Sequence, residues 1–318
     1  MAKREKRVDL AQLKDVVDEI VGRMGVIEKF GKAADHIKGM ADIETEHFGI
    51  AVVTVDGDLV TGADADTPFP IQSISKVFAL TLALRAFDDE VWKRVGREPS
   101  GDPFNSIVDL ERHKGIPRNP FINPGALVVC DMLLDIGKEH GVPKTVREFL
   151  IGEIGEKDFG EVSEIVKEDG KTSGYSNRAL ANLSKHFENL HHDVEAVMKL
   201  YVAQCAIELD CRQLALAGRY LMRDGADGKT EDSRHHARLA RRINSLMMTC
   251  GQYDGSGDFA FRVGLPAKSG VGGGILAIAP DIASVAVWSP TLDENGNSLL
   301  GTLALEQLTE RMGWSIFG

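Results

Sequence analysis

The sequence predicts a mixed α/β fold of the α+β type: one antiparallel sheet flanked by helices, with a mainly helical lobe beside it. Three observations predict it. Strand-length β-branched runs occur near both ends of the chain, at 48–55 and 59–62 and again at 274–279 and 282–288. Between them, apolar residues recur at spacings of three and four, the period of a helix face. The first two runs are joined by Asp56-Gly57-Asp58, a turn that makes an antiparallel hairpin. Strands at both ends and helices between them bring the termini together around one sheet. The expected division is a sheet-containing lobe from 1–72 with 251–318, a helical lobe from 73–250, and any active site in the cleft between them.

Element by element, Leu10, Leu13, Val16, Val17, Ile20, Val21 and Met24 fall on one face of an opening helix. After the hairpin, Val77, Leu80, Leu84 and Phe87 mark a helix from Ser73 to about Asp88. The Pro/Gly-rich stretch Gly96 to Pro124 reads as a long ordered loop, and loops of that length are usually functional. Helical patterns follow at 126–136, 178–187, 194–220 and 236–248. The period returns to two at Phe259 to Val263, read as a strand, and at the two terminal runs, which Pro280-Asp281 joins. A closing helix runs from Leu299 to about Met312.

Composition narrows the function. With 318 residues, 43% hydrophobic and 27% charged, the chain is long enough for a substantial core and is of globular type. The net charge of −11 repels a phosphate backbone, and the one dense basic stretch, Arg234 to Arg242, directly follows Glu231 and Asp232, so no nucleic-acid partner is expected. Cys130, Cys205, Cys211 and Cys250 have no C-x-x-C spacing, which points to buried thiols and not to zinc or disulfides. No apolar run reaches membrane-spanning length and the start carries no apolar signal core, so a cytoplasmic protein without a membrane partner is expected.

Chemistry concentrates in two places. Ser73-x-x-Lys76 stands where a loop enters a helix, and a spacing of three puts the hydroxyl and the amine on one face. Serine is a poor nucleophile at neutral pH. A neighbouring lysine takes its proton only when neutral, which burial and a second nearby cation both favour. Lys268-Ser269-Gly270 supplies the candidate cation, on a strand edge whose glycines free backbone N–H groups for an oxyanion. S-x-x-K followed by a K-[ST]-G-like triplet is the order found in penicillin-recognising serine enzymes. Either motif alone is weak, since an isolated S-x-x-K usually marks an ordinary helix start.

Other motifs fail on context. Gly270-Val-Gly272-Gly-Gly274 lacks the final glycine of a dinucleotide fingerprint and precedes a strand; no P-loop lysine follows it, and Ile71 and Ser75 occupy the glycine positions of a nucleophile elbow. The pairs His191-His192 and His235-His236 point about 100° apart on a helix and carry no zincin motif, so they read as surface or cap residues.

Longer blocks make a specific resemblance. Pro70-Ile-Gln-Ser-Ile-Ser-Lys-Val-Phe78, Glu98-Pro-Ser-Gly-Asp-Pro-Phe-Asn-Ser106, Pro117-Arg-Asn-Pro-Phe-Ile-Asn-Pro-Gly-Ala126, Met248-Thr-Cys-Gly-Gln-Tyr253, Phe261 to Gly274 and Ala286 to Ser298 are similar, in order and spacing, to the signature blocks of the serine-dependent glutaminases. The resemblance spans about Val26 to Leu308. It implies a β-lactamase/transpeptidase-like fold, hydrolysis of L-glutamine to L-glutamate and ammonia, no metal and no organic cofactor, and a homodimer or homotetramer. It implies Ser73 as nucleophile, Lys76 as its base, Tyr253 as the relay to departing ammonia, and Tyr201 as a second phenol of the site. It further implies an oxyanion hole from the N–H groups of Ser73 and Val271, with Gln72, Asn123 and Asn177 among the substrate-binding residues. The bland alternatives are a helix-packing role for Tyr201 and a turn role for Asn123.

Several positions depart from the family pattern. The glutamate that binds the substrate's ammonium is expected seven residues before Asn177, where Gly170 stands; a short insertion makes Glu168 the substitute, with Glu164 the less favoured one. Ser176 replaces an arginine, Pro124 an alanine, and His36-Ile37-Lys38 a Tyr-Ile-Pro block. Two other readings use the same residues. A penicillin-recognising enzyme predicts a stable acyl adduct at Ser73, and a catalytically silent member predicts amino-acid or protein binding without turnover.

Overall fold

The computed structural model describes residues 8–26, 46–101, 106–156, 163–164, 166–167, 174–222 and 230–318. Along the chain, α1 (Leu10–Met24), capped by the Asp9 carboxylate, leads to β1 (Gly49–Thr54), β2 (Leu59–Ala63) and the short β3 (Phe69–Pro70). The helices α2 (Ser75–Phe87), α3 (Ile107–Arg112), α4 (Asn123–Leu133), α5 (Val146–Ile154), α6 (Tyr175–His186) and α7 (Val194–Cys205) follow. Next come β4 (Glu208–Leu209), α8 (Cys211–Ala217), α9 (Glu231–Cys250) and α10 (Ser256–Arg262). The chain closes with β5 (Ala267–Ser269), β6 (Gly274–Ala279), β7 (Ala283–Trp288) and α11 (Leu299–Met312).

The main sheet is antiparallel throughout, in the order β2-β1-β7-β6-β5. Val52 pairs with Val60 on one side and Val285 on the other, and Val285 pairs in turn with Ala277, so the two ends of the chain meet on β1 and β7. Both faces are covered. Ile50, Val52, Ala277 and Val285 pack against Leu13, Val17 and Ile20 of α1 and Leu300, Ala304 and Leu308 of α11. Their neighbours Ala51, Val53, Leu276 and Ala286 join α2, α8 and α9 in the larger core on the opposite face. Double coverage explains why β1, β6 and β7 are apolar or small at nearly every position instead of alternating. A third cluster, with Leu127 and Cys130 of α4, Leu180 of α6, and Val197, Met198 and Tyr201 of α7, holds the helices together.

Three sequence-based expectations are corrected. Residues 259–263 lie in and just after α10 and form no strand: Phe259 and Val263 are buried four apart, while Phe261 between them is 90% exposed. The apparent alternation was one helical turn sampled over five residues. The helical pattern at 194–220 divides into α7, β4, α8 and a 3-10 turn at Arg219–Leu221, because Asp210 starts a new helix with a capping box to Gln213. The stretch 96–124 contains α3, started by the Ser106 hydroxyl.

Candidate active site

The site is built where the main sheet's β5–β6 edge meets the start of α2. Residues Gln72–Ile74 form a 3-10 turn that runs directly into α2, so Ser73 and Lys76 stand one turn apart. Gln72 is held at φ +48°, a conformation that costs a non-glycine residue on the order of 1–3 kcal/mol. The glycines of the β5–β6 connection lie against this segment. A Cβ on Gly272 would stand 2.4 Å from the Pro70 carbonyl oxygen, and one on Gly270 2.7 Å from that of Ile71. Val271, between them, is brought beside the Ser73 turn, and among the described residues its N–H makes no backbone hydrogen bond.

Lys76 is 1% exposed. Its Nζ donates to the Phe121 carbonyl oxygen at 3.1 Å and to Asn123 Oδ1 at 2.8 Å. Burial lowers its pKa to about 8, against a smaller opposite effect from the Cys205 and Cys130 thiols. Lys268 is fully buried. It pairs across the sheet with Leu276, which faces the helical side, so the strand's two-residue period sends its amine the same way. Its Nζ donates to the carbonyl oxygens of Gly251 at 3.0 Å and Ser269 at 2.6 Å, and lies 4.4 Å from the Tyr253 ring centroid. Burial, then the Lys76 charge, holds Lys268 well below the ordinary lysine range. Lys268, expected as the second cation, is thus a second buried amine whose charge interacts with that of Lys76. Burial is the first cause of the lowering at both amines.

Tyr253 follows α9 at φ +51°, in a 3-10 turn. Burial pushes its phenol up to about 12, while hydrogen bonding with Ser73 and Ser269 offsets part of the rise. This contact joins Tyr253 to both the Ser-x-x-Lys and the Lys-Ser-Gly segments. Gly296, in the loop before α11, approaches Val271 and Tyr253 from outside.

The helical side contributes an amide network. Asn123 Oδ1 accepts from Lys76 and, at 3.4 Å, from the Tyr201 hydroxyl, while its Nδ2 donates to Asn177 Oδ1 at 3.0 Å. Tyr201, 7% exposed, is a core residue of α7 whose hydroxyl also reaches Asn123. Asn123 opens α4 after Ile122, and Pro124 sits in the first turn, where its missing N–H has no helical acceptor to satisfy. That departure leaves the geometry intact.

Gln72, Ser73, Lys76, Asn123, Asn177, Tyr201, Tyr253 and Val271 thus lie around one region. Glu168, His36, Ile37, Lys38 and Gly170 lie outside the described residues, while Glu164 is exposed with its carboxylate 2.6 Å from Lys167 Nζ. Ser176 is exposed on α6. Sequence reasoning missed the carbonyl oxygens of Phe121 and Gly251, which no side-chain motif reveals. It also passed over Cys205 as a bland buried thiol: Cys205 is buried, but its Sγ stands 3.9 Å from Ser75 Oγ and its field acts on Lys76. Among the described residues no group of three or more His, Cys, Asp and Glu can hold a metal ion, and no helix is long and apolar enough to cross a membrane.

Comparison with known proteins agrees with this architecture. The Glutaminase family model matches residues 31–317. The chain is 51% identical over 310 residues to a glutaminase of Methylobacterium radiotolerans, covering 97% of this chain and all of the relative. It is 51% identical over 308 residues to one of Mesorhizobium japonicum, covering 96% and 97% of the two chains. Among solved structures it is similar to the probable glutaminase ybaS, with a TM-score of 0.86, 33% identity and coverage of 98% and 99%. A probable glutaminase of Bacillus subtilis superposes with a TM-score of 0.78 at 32% identity, covering 96% and 97%. A shared fold, full-length coverage and half-identical relatives together mean that the chain belongs to the glutaminase family, hydrolases of the β-lactamase-like fold that act on the glutamine amide.

Proposed function

We propose that the chain converts L-glutamine to L-glutamate and ammonia through an acyl-enzyme on Ser73. The observation that carries this reading is Lys76: an amine one turn from the serine, excluded from water and with its pKa lowered to about 8. At pH 7 such a group is neutral in roughly one molecule in ten, against fewer than one in a thousand for an ordinary lysine. The neutral amine takes the Ser73 hydroxyl proton as the oxygen attacks the side-chain amide carbon. The tetrahedral oxyanion is received by the N–H groups of Ser73 and Val271. As the C–N bond breaks, Tyr253 relays the proton held by Lys76 to the departing nitrogen, giving ammonia, a glutamyl ester and a neutral Lys76 amine again. Water, activated by the same base, attacks the ester carbonyl; glutamate leaves and the serine regains its proton.

The cleft between the sheet lobe, 1–72 with 251–318, and the helical lobe, 73–250, would hold the substrate. Gln72, Asn123, Asn177 and Glu168 would surround it, with Glu168 as partner of the ammonium on the spacing argument. The Asn123 amide is already engaged by Lys76, Tyr201 and Asn177, which favours a role in orienting Lys76 together with binding. The test is ammonia release from glutamine: Ser73→Ala is expected to abolish it, and measurable turnover by that variant overturns the serine mechanism. Loss of affinity without loss of kcat in Glu168→Gln supports the ammonium assignment.

A further inference from the structure

A cavity lies at the far end of α2 from the site just described. It has a volume of about 640 Å³, within the range of small-molecule sites, and is lined among others by Arg85, Glu153, Arg219, Tyr220, Met222 and Leu239. Arg85 belongs to the last turn of α2, nine residues after Lys76 and so about 13 Å farther along the helix. Its guanidinium carbon lies 5.0 Å from the Phe149 ring centroid and 5.5 Å from that of Tyr220. Tyr220 is itself fixed by a 2.7 Å hydrogen bond to Thr81, also on α2.

This guanidinium is positioned and only partly satisfied. Among the described residues Arg85 Nε is buried with no hydrogen-bond partner, and the nearest carboxylate oxygen, Glu153 Oε1, stands 3.7 Å from Nη2, beyond hydrogen-bond length. Arg219 makes no hydrogen bond to the Glu153 carboxylate among the described residues: its Nη2 donates to the Glu153 backbone oxygen at 3.0 Å and its Nε to that of Leu216. A forked cation with an unpartnered Nε and a carboxylate, joined to each other by a long ion pair, therefore line one chamber. Tyr220, Met222 and Leu239 offer apolar surface beside them.

We propose that this cavity binds a zwitterionic α-amino acid with an apolar side chain, its carboxylate on the Arg85 fork, its ammonium at Glu153, and its side chain against Met222 and Leu239. The charges discriminate between ligands. A doubly negative anion such as phosphate would meet the Glu153 carboxylate, whereas a zwitterion matches both signs. Burial raises the Glu153 carboxyl, as expected for a carboxylate that Arg85, Arg219 and His236 only partly compensate.

The experiment is calorimetric titration of the full chain with L-leucine, 4-methylpentanoate, which lacks the ammonium, and isoamylamine, which lacks the carboxylate. L-leucine is expected to bind and the two truncated analogues to bind at least about tenfold more weakly. Arg85→Lys keeps the charge but removes the fork, and Glu153→Gln keeps the shape but removes the charge; each is expected to weaken leucine by about tenfold or more while leaving glutamine turnover in place. Retained turnover shows that both variants fold. Failure of leucine to bind the native chain, equal binding of 4-methylpentanoate, or undiminished leucine binding in either variant overturns the proposal. None of these outcomes depends on the Ser73 mechanism.

Discussion

A lysine buried between two acceptors is a poor arrangement for stability and a good one for proton abstraction. Lys76 has its pKa lowered from 10.5 to about 8. Below pH 8 the folded state carries the full penalty, on the order of 3 kcal/mol, and the penalty fades as pH rises from 8 to 10.5. Lys76→Met is therefore expected to abolish ammonia release yet raise stability at pH 7 by about 1–3 kcal/mol, the lost bonds to Phe121 and Asn123 offsetting part of the gain. Denaturation at pH 7 and pH 10 checks this: a gain that does not shrink at the higher pH contradicts the assignment. The same value sets the activity profile. Because the base acts when deprotonated, kcat/KM is expected to climb with pH and level off above about 8; a profile flat from pH 6 to 9 rules Lys76 out. Tyr253, at about 12, stays protonated across that interval and remains a donor. Tyr253→Phe is expected to lower kcat by about 10²–10⁴-fold with KM little changed.

The elements around the site are held in register by buried polar joints as well as by packing. Asp131 of α4 is fully buried and receives Arg94 Nη2 at 2.5 Å, the His191 N–H at 3.1 Å and the His192 N–H at 2.7 Å. His192 also places Nδ1 3.0 Å from Asp131 and Nε2 3.3 Å from Asp135, so it fastens the α6–α7 connection to α4 instead of being a simple surface residue. Burial pushes the Asp131 carboxyl up, but the Arg94 and backbone N–H bonds outweigh it and hold the carboxyl below its ordinary value. A depressed carboxylate contributes stability that is present above its unfolded pKa and is lost as pH falls through the folded one. Asp131→Asn strands the half-buried Arg94 cation, with an expected loss of about 3–5 kcal/mol by chemical denaturation. A loss under 1 kcal/mol would show that the joint is not structural. Across the site, Gly251 lies so close to β5 that a Cβ there would stand 1.8 Å from the Ala267 carbonyl oxygen. Gly251→Ala must push α9 away from the strand that carries Lys268.

The whole molecule depends on contacts between its two ends. Of the five strands in the main sheet, β1 and β2 come from the first part of the chain and β5, β6 and β7 from the last. The longest pairing, β1 with β7, joins residues more than 220 positions apart, from Gly49 with Trp288 to Thr54 with Ala283. Such a sheet has no stable half. A fragment ending at residue 222 loses three strands and α9 to α11, leaving the β7 edge of β1 unpaired and each face of β1 only partly covered, and is expected to show no cooperative thermal transition by circular dichroism; a sharp transition would mean that the helices form an independent core.

Much of this was legible in order along the chain. The hairpin at 49–63, the strands at 274–288, α1 and α11 follow from periodicity and turn chemistry, because each is long and its pattern is enforced by burial on the sheet. Ser73, Lys76 and Lys268 were legible because their spacing is a local fact. Short elements misled: five residues at 259–263 fit either period, and only the packing of Phe259 and Val263 on one side selects a helix. The electrostatics of the site were not legible at all. Burial, carbonyl acceptors from Phe121 and Gly251, and the lowered pKa values of two lysines arise when segments nearly 200 residues apart exclude water together. Sequence alone determined which reactive groups are present and at what spacing; only tertiary structure decided their protonation, because desolvation belongs to the assembled fold and to no residue within it.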